Sequence, residues 1–274
     1  MFLFLISADS VYVKVFNRTL GKFVSDSLRV EVAGFFTDGK EVFDTVEIKG
    51  EGWIRIPKDL HVVGLTVIYK GERFPSQPII LNDTSRSITV EVYDVSGDRS
   101  DISVVSHNLG IFKERGVYHI VELVEFKNTS NRAFRGPILE VKLPKKAEGF
   151  NITGDQSDYF RSGQNITLTP LLLPGEGNFG FDYFVLSDYF SLKREGAENY
   201  RVFADTSIKV KVKNAVFDGR REFEGQFFNV WKAKGKVEVE VGTPPIVKET
   251  VMFLWASLLF VFLVAIVFFV LRRP

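Results

Sequence analysis

Few side chains of this sequence are suited to catalysis or to metal binding. It contains 3 His and no Cys among 274 residues, which excludes a thiolate nucleophile, a disulfide and a cysteine-bound metal. His107 and His119 could form a pair of metal or haem ligands, although two separately packed histidines are the simpler interpretation. No serine-hydrolase, zinc-peptidase or phosphate-loop motif is present. The sequence therefore predicts a protein that is not an enzyme and that binds no cofactor.

Three acidic residues lie close together in the sequence where two β-patterned regions meet: Asp94, Asp98 and Asp101. Carboxylate oxygens are the ligands that Ca²⁺ prefers. Their spacing differs from that of the EF-hand loop, and aspartates also cap turns in polar linkers. They are weak candidate metal ligands, and the sequence predicts no other metal site.

Asn-x-Ser/Thr sequons indicate an outer surface that carries glycans. The glycosylation candidates are Asn17, Asn82, Asn128, Asn151 and Asn165. If they are glycosylated, these asparagines should lie on exposed turns.

A basic stretch near the C-terminus is a candidate contact surface for an anionic partner. Lys209, Lys211 and Lys213 alternate with other residues and so share one face of a predicted strand. Arg220 and Arg221 follow. Lipid headgroups, glycans or an acidic protein would fit this charge, and a solvated strand face is the alternative. The formal net charge of the whole chain is only +1, which argues against a nucleic-acid partner.

The elements that would position these residues are short strands. Apolar and polar residues alternate at 11–16, 28–32, 88–92, 118–126, 138–143, 207–212 and 236–241, with turn residues between them. No segment between the chain ends sustains a helical period. This pattern predicts an all-β fold of two tandem β-sandwich domains, immunoglobulin-like or transthyretin-like, at residues 9–95 and 99–243. It leaves open whether 99–243 is one domain or two.

Part of the first predicted domain resembles a known family. The stretch GWIRI at residues 52–56 is followed by Leu60, LTVIY at 65–69, Lys70, Gly71 and FPS at 74–76. This order resembles the transthyretin-like, carboxypeptidase-regulatory-like β-sandwich. The resemblance covers residues 9–95 and implies a small sandwich that serves as a structural or recognition module. It implies no catalysis.

The two chain ends predict a single-pass membrane protein. Residues 251–271 form an uncharged run about 31 Å long as a helix, enough to cross a bilayer. Arg272 and Arg273 then predict a cytoplasmic tail at 272–274. Residues 244–250 would be a stalk. Residues 1–8 resemble the end of a signal peptide cleaved after Ala8, or else a first strand.

Together these features predict an integral protein of the cell membrane whose N-terminal bulk lies outside the cytoplasm. It would act as a recognition or scaffolding arm in the cell envelope, with an envelope protein or a glycan as its partner. The alternative is an accessory subunit of a membrane complex, in cytochrome maturation or extracytoplasmic redox chemistry, where the helix itself makes the contact.

Overall fold

The computed structural model describes residues 8–81, 87–153, 158–223 and 225–243. Within these ranges the chain forms strands and turns and no α-helix, which confirms the predicted all-β fold. No helix there could cross a bilayer. The predicted stalk, transmembrane helix and tail lie outside the described residues. So do residues 1–7 of the predicted signal peptide, whereas Ala8 begins the first strand.

The first β-region is a folded-over sheet. Its strands are β1 (Ala8–Asn17), β2 (Lys22–Phe23), β3 (Ser27–Phe36), β4 (Glu41–Lys49), β5 (Glu51–Pro57), β6 (Leu60–Tyr69), β7 (Glu72–Pro75), β8 (Ile79–Ile80) and β9 (Ser87–Val92). They are ordered β2-β1-β5-β4-β3-β6-β7, with β8 on β6 and β9 parallel to β1. β4 and β5 pair only at Lys49 and Glu51, so the sheet closes over a core that includes Val13, Val30 and Val67.

The second β-region encloses a separate core. Its strands are β10 (Val95–Ser96), β11 (Ile102–Glu114), β12 (Val117–Asn128), β13 (Ala133–Phe134), β14 (Leu139–Lys142), β15 (Ala147–Ile152), β16 (Tyr159–Ser162), β17 (Asn165–Leu168), β18 (Gly175–Val185), β19 (Tyr189–Asp205), β20 (Val210–Phe223) and β21 (Gln226–Gly242). A seven-stranded sheet, β15-β18-β12-β11-β19-β21-β20, packs on a three-stranded sheet, β14-β17-β16. Inward side chains such as Ile120, Val141 and Ile166 fill the space between them.

Strands β19 and β21 run through both layers of the second region. Their pairing register is interrupted near the middle, where Gly196 has φ +101° and Gly235 has φ +71°. Glycine adopts these left-handed conformations without steric cost. Before this bend, Arg194 of β19 donates to the carbonyl oxygen of Lys142 in β14. After it, β19 runs parallel to β11, so the same strands belong to both layers.

The described chain leaves the second region at one defined end. Tyr118, just after the turn at 115–116, pairs with Val185 at the end of β18. After the short connection at 186–188, Tyr189 pairs with Gly242, the last residue of β21. We call this the exit end.

The first β-region contacts the opposite end of the second. Thr19 donates its hydroxyl to the carbonyl oxygen of Asn131, which follows β12. Arg135 donates to Glu72 of β7 at 2.8 Å and to Asp158 at 2.5 Å. Ala133 even belongs to the core of the first region. The core boundary therefore does not coincide with the sequence boundary predicted near residue 95.

The glycine that ends β21 has no room for a side chain. Gly242 has φ +87° and a Cβ there would lie 1.8 Å from the carbonyl oxygen of Asp188, whereas Gly116 has φ +88° and open space. We expect Gly116→Ala to lower the free energy of unfolding by about 1 kcal/mol and Gly242→Ala by about 3 kcal/mol or more. Urea unfolding of the purified full-length chain measures both. Equal losses would contradict the close approach at the exit end.

Candidate functional site

Among the described residues, a highly connected polar cluster is enclosed in the second core. Glu122 lies on the inward phase of β12 and Arg194 on the inward phase of β19, and their side chains are 0% and 1% exposed. Arg194 donates from Nη2 to Glu122 Oε1 at 2.5 Å and from Nε to Oε2 at 2.8 Å. The Tyr183 hydroxyl donates to Oε1 at 2.8 Å, and His107 Nε2 lies 2.6 Å from Oε2.

These contacts shift the protonation equilibria of the cluster. Burial alone raises the pKa of Glu122, but the charge and hydrogen bonds of Arg194 and the hydrogen bond of His107 outweigh it, so the pKa lies well below its ordinary value. Burial and the Glu122 charge raise the pKa of the Tyr183 hydroxyl well above its ordinary value. Glu122 and Arg194 are therefore both charged at neutral pH.

The cluster joins the two layers and does not contact solvent. Arg194 reaches the three-stranded sheet through the carbonyl oxygen of Lys142, while Glu122 belongs to the seven-stranded sheet. A bidentate buried pair fixes the relative position of the groups it joins and leaves a large penalty if one partner is removed. The cluster therefore has a structural role, which is to link the two layers.

Sequence reasoning missed this cluster although a signal was present. In β12, Glu122 is in phase with the buried Ile120 and Val124, and in β19, Arg194 is in phase with the buried Leu192. A charged residue on the apolar phase of an alternating strand needs a buried partner. Opposite charges in two such strands would have pointed to the pair.

The two histidines considered as ligands lie on opposite faces of the sheet. His107 faces the core, 0% exposed. His119 faces outward with Val121 and Leu123, where its Nε2 lies 3.0 Å from Asp182 Oδ2. They do not form a ligand pair. Across the described ranges, no group of three or more His, Asp or Glu is placed to hold a metal ion.

The three candidate aspartates have separate partners. Asp94 Oδ1 accepts from Lys70 at 2.8 Å and from Tyr69 at 3.2 Å, and the Lys70 hydrogen bond lowers the pKa of Asp94. Asp98 Oδ1 accepts from the backbone N–H of Ser100, as a turn cap does. Asp101 is exposed. The structure does not bring these carboxylates together as a ligand group.

Two of the sequon asparagines are buried, although exposed turns were expected for all of them. Asn17 is 1% exposed and donates to the Tyr69 hydroxyl, and Asn128 is 2% exposed and donates to the carbonyl oxygen of Leu172. A glycan on either amide nitrogen would break these hydrogen bonds and open the core. Asn151 and Asn165 are exposed but lie in strands β15 and β17, and Asn82 lies outside the described residues.

The basic stretch does not form one cationic strand face. Lys213 Nζ lies 2.9 Å from Glu238 and 2.5 Å from Glu240, which raise its pKa. Lys209 and Lys211 are exposed. The remaining two are engaged: the Arg220 guanidinium stacks 4.2 Å from the centre of the Phe227 ring, and Arg221 pairs with Asp218 at 3.5 Å.

Exposed aromatic residues accompany these cations on the β20–β21 hairpin. Phe217 is 55% exposed, Phe223 68% and Phe227 42%. Beside the hairpin end, an apolar groove of about 520 Å³ crosses the outer face of the seven-stranded sheet, lined by residues that include Phe112 and Leu123. A contiguous patch of exposed apolar side chains often marks a surface that contacts another molecule.

Solved structures match about half of this chain at low similarity, and several of them are zinc metallopeptidases. No protein-family model matches the sequence, and no curated protein matches it. A two-domain M1 zinc metallopeptidase bound to L-tryptophan matches at 12% identity and TM-score 0.33, over 52% of this chain and 43% of that chain. The M1 zinc metallopeptidase from Deinococcus radiodurans matches at 11% identity and TM-score 0.33, over 52% of this chain. This chain covers 42% of the latter enzyme, less than half its length.

The prediction that this chain is not an enzyme is contradicted by that finding, since M1 zinc metallopeptidases are among the solved structures that match it. The prediction was drawn from missing motifs and a β-rich pattern, and β-rich regions also occur within enzymes, because a fold does not determine a function. A likeness at these TM-scores carries no argument about the activity or substrate of this chain.

Removal of one partner of the buried pair should destabilise the second region strongly. We expect Glu122→Gln to lower the free energy of unfolding at pH 7 by about 3–5 kcal/mol, because it leaves the Arg194 charge buried and unpaired. The matched control is Glu195→Gln, since Glu195 and its partner Lys193 are 65% and 64% exposed. The control should change stability by less than about 0.5 kcal/mol in urea unfolding.

The same pair of proteins should differ less in acid. The pKa of Glu122 is depressed in the folded state, so its contribution is present above its ordinary value of 4.5 and is lost as pH falls toward the folded pKa. The difference in stability between the wild type and Glu122→Gln should therefore shrink steadily below that pH. A difference that stays constant down to the acid limit of folding would contradict an ionised Glu122.

Proposed function

We propose that this protein is a membrane-anchored recognition or scaffolding arm of the cell envelope. Residues 251–271 anchor it as a single transmembrane helix, and the tail at 272–274 is cytoplasmic. Residues 99–243 form a sandwich that carries a distal, transthyretin-like module at 9–95 outside the cytoplasm. The observation that carries the proposal is that the first region and the exit of the chain lie at opposite ends of the second region.

This arrangement separates the first region from the proposed anchor. β21 ends with Gly242 at the exit end, and only eight residues, 243–250, separate it from the start of the uncharged run. The first region contacts the opposite end, beyond Asn128, the last residue of β12. β12 has 12 residues and so spans about 40 Å. An anchored chain would hold its first region at least that far along the strands from the exit.

The connection between the regions is tied at several points. Arg135 bridges Glu72 of the first region and Asp158 of the second, and Thr19 contacts Asn131. Contacts of this kind restrict relative motion more than a bare linker does. They favour an arm with a fixed orientation over a flexible string of domains.

The open edge of β4 is the described surface that best suits recognition by the first region. Apart from the Lys49–Glu51 corner, no described strand pairs with β4 on the side away from β3. Phe43 on this strand is 71% exposed. An unpaired strand edge beside an exposed aromatic side chain can accept an extended segment of a partner protein as an added strand.

The orientation can be tested directly because the chain has no cysteine of its own. We expect a Thr37→Cys variant, altered in the exposed turn after β3, to react with a membrane-impermeant maleimide in intact cells. A cysteine appended after Pro274 should react only after the membrane is permeabilised. Labelling of both sites only after permeabilisation would overturn the extracytoplasmic placement, and release of the protein by alkaline carbonate would overturn the anchor.

The recognition role predicts a partner that depends on the β4 edge. Affinity capture of the full-length chain from mild detergent should recover an envelope partner, and Phe43→Lys should reduce that recovery at least about tenfold. Phe160→Lys is the matched control, because Phe160 is 69% exposed but lies in the second region. Recovery that survives Phe43→Lys but is lost when 251–271 is replaced by a neutral helix would support the accessory-subunit alternative and overturn the arm.

A further inference from the structure

The exit end of the second region carries exposed apolar side chains. Ala204, near the end of β19, pairs with Ile111 of β11, shortly before the turn at 115–116. Asp205 pairs with Phe228, and the Thr206 N–H donates to the carbonyl oxygen of Phe227, so the β20–β21 hairpin end lies on the same side as that turn. Phe223 and Phe227 lie at this hairpin end, and both are substantially exposed. Leu186, in the connection between β18 and β19, is 44% exposed.

The same end carries an excess of positive charge. Its exposed cationic side chains are Lys113, Arg115, Lys145, Lys146, Lys209 and Arg220. The exposed acidic ones are Glu114, Glu148, Asp188 and Glu222, and Asp205 is half-buried. Within the part of the chain that the structure describes, Arg115, Lys145, Lys146 and Lys209 make no ion pair. Unpaired cations beside exposed phenylalanines are typical of surfaces that bind the interface of an anionic bilayer.

The length of the chain beyond Gly242 limits how far this end can lie from a bilayer. Eight residues separate Gly242 from Val251, and fully extended they span at most about 28 Å. A tether this short gives the exit end an effective concentration at the membrane in the millimolar range. Even weak contacts between this end and the lipids would then be formed most of the time.

We propose that the exit end rests on the surface of the membrane. Phe223 and Phe227 lie in the headgroup region, and Arg115, Lys145, Lys146 and Lys209 contact anionic lipid headgroups. This inference rests on the proposed anchor, and it adds a second contact that sets the tilt of the arm. A membrane fits better than a protein partner, because the short connection at 243–250 holds this end close to the bilayer. It leaves little room for a folded protein between the two.

The test uses the full-length chain in liposomes of phosphatidylcholine, with and without phosphatidylglycerol. Gln226→Cys at the hairpin end carries an environment-sensitive fluorophore, and Thr37→Cys carries the same fluorophore in the first region as the distant reference. We expect lipids spin-labelled near the headgroup to quench the Gln226→Cys probe at least about threefold more than the reference in anionic liposomes. The excess should fall in 1 M salt, where the Debye length is about 3 Å.

A matched set of charge reversals distinguishes this contact from mere proximity. Lys145→Glu with Lys146→Glu should abolish most of the excess quenching, whereas Arg55→Glu with Lys58→Glu, an equal charge change on exposed positions of the first region, should not. Circular dichroism checks that both variants fold. Equal quenching of the two probes in a protein that resists carbonate extraction would overturn the membrane contact and leave the anchor standing. Loss of the protein from the liposomes in carbonate would overturn the anchor itself.

Discussion

Glu122 and Arg194 are charged groups buried from solvent, and the architecture of the second region keeps them together. Each comes from a different layer, since the bend in β19 lies immediately after Arg194 and carries the rest of that strand into the sheet that holds Glu122. An ion pair with two parallel hydrogen bonds tolerates little change in distance or angle. The same carboxylate also holds the side chains of Tyr183 and His107, so the position of Glu122 determines how the residues around it pack in this core.

The sequence was sufficient for the local part of the fold. Alternation at 28–32 predicted the first half of β3, and alternation at 88–92 predicted most of β9, because each strand buries one face and exposes the other. Alternation could not show that β19 and β21 continue through Gly196 and Gly235, since glycine is unfavourable inside a strand. There the interruption of the pattern marks a passage between layers.

The surroundings of the site residues were predicted less well, because residues distant in sequence form them. A sequon is recognised from three adjacent residues, yet Asn17 is enclosed by Tyr69 and Asp94, which are distant in sequence. Lys213 looked free on its own strand and is neutralised by Glu238 and Glu240 on the next one. The solved peptidase structures that match the chain add no information about such positions, because their likeness at TM-score 0.33 concerns only the course of the chain.

The continuity of β21 has a mechanical consequence. Its 17 residues are hydrogen-bonded to β19 and β20 on both sides of the bend at Gly235, and the strand ends with Gly242 where the described chain departs. A force applied at Gly242 along the strand, opposed by one at the start of β11, would load lengthwise the ladder between this bend and Gly242. The hydrogen bonds of that segment would then share the load, whereas a force across the ladder would open them one at a time. The last segment of β21 is thus arranged to bear tension at the end where the chain leaves the second region.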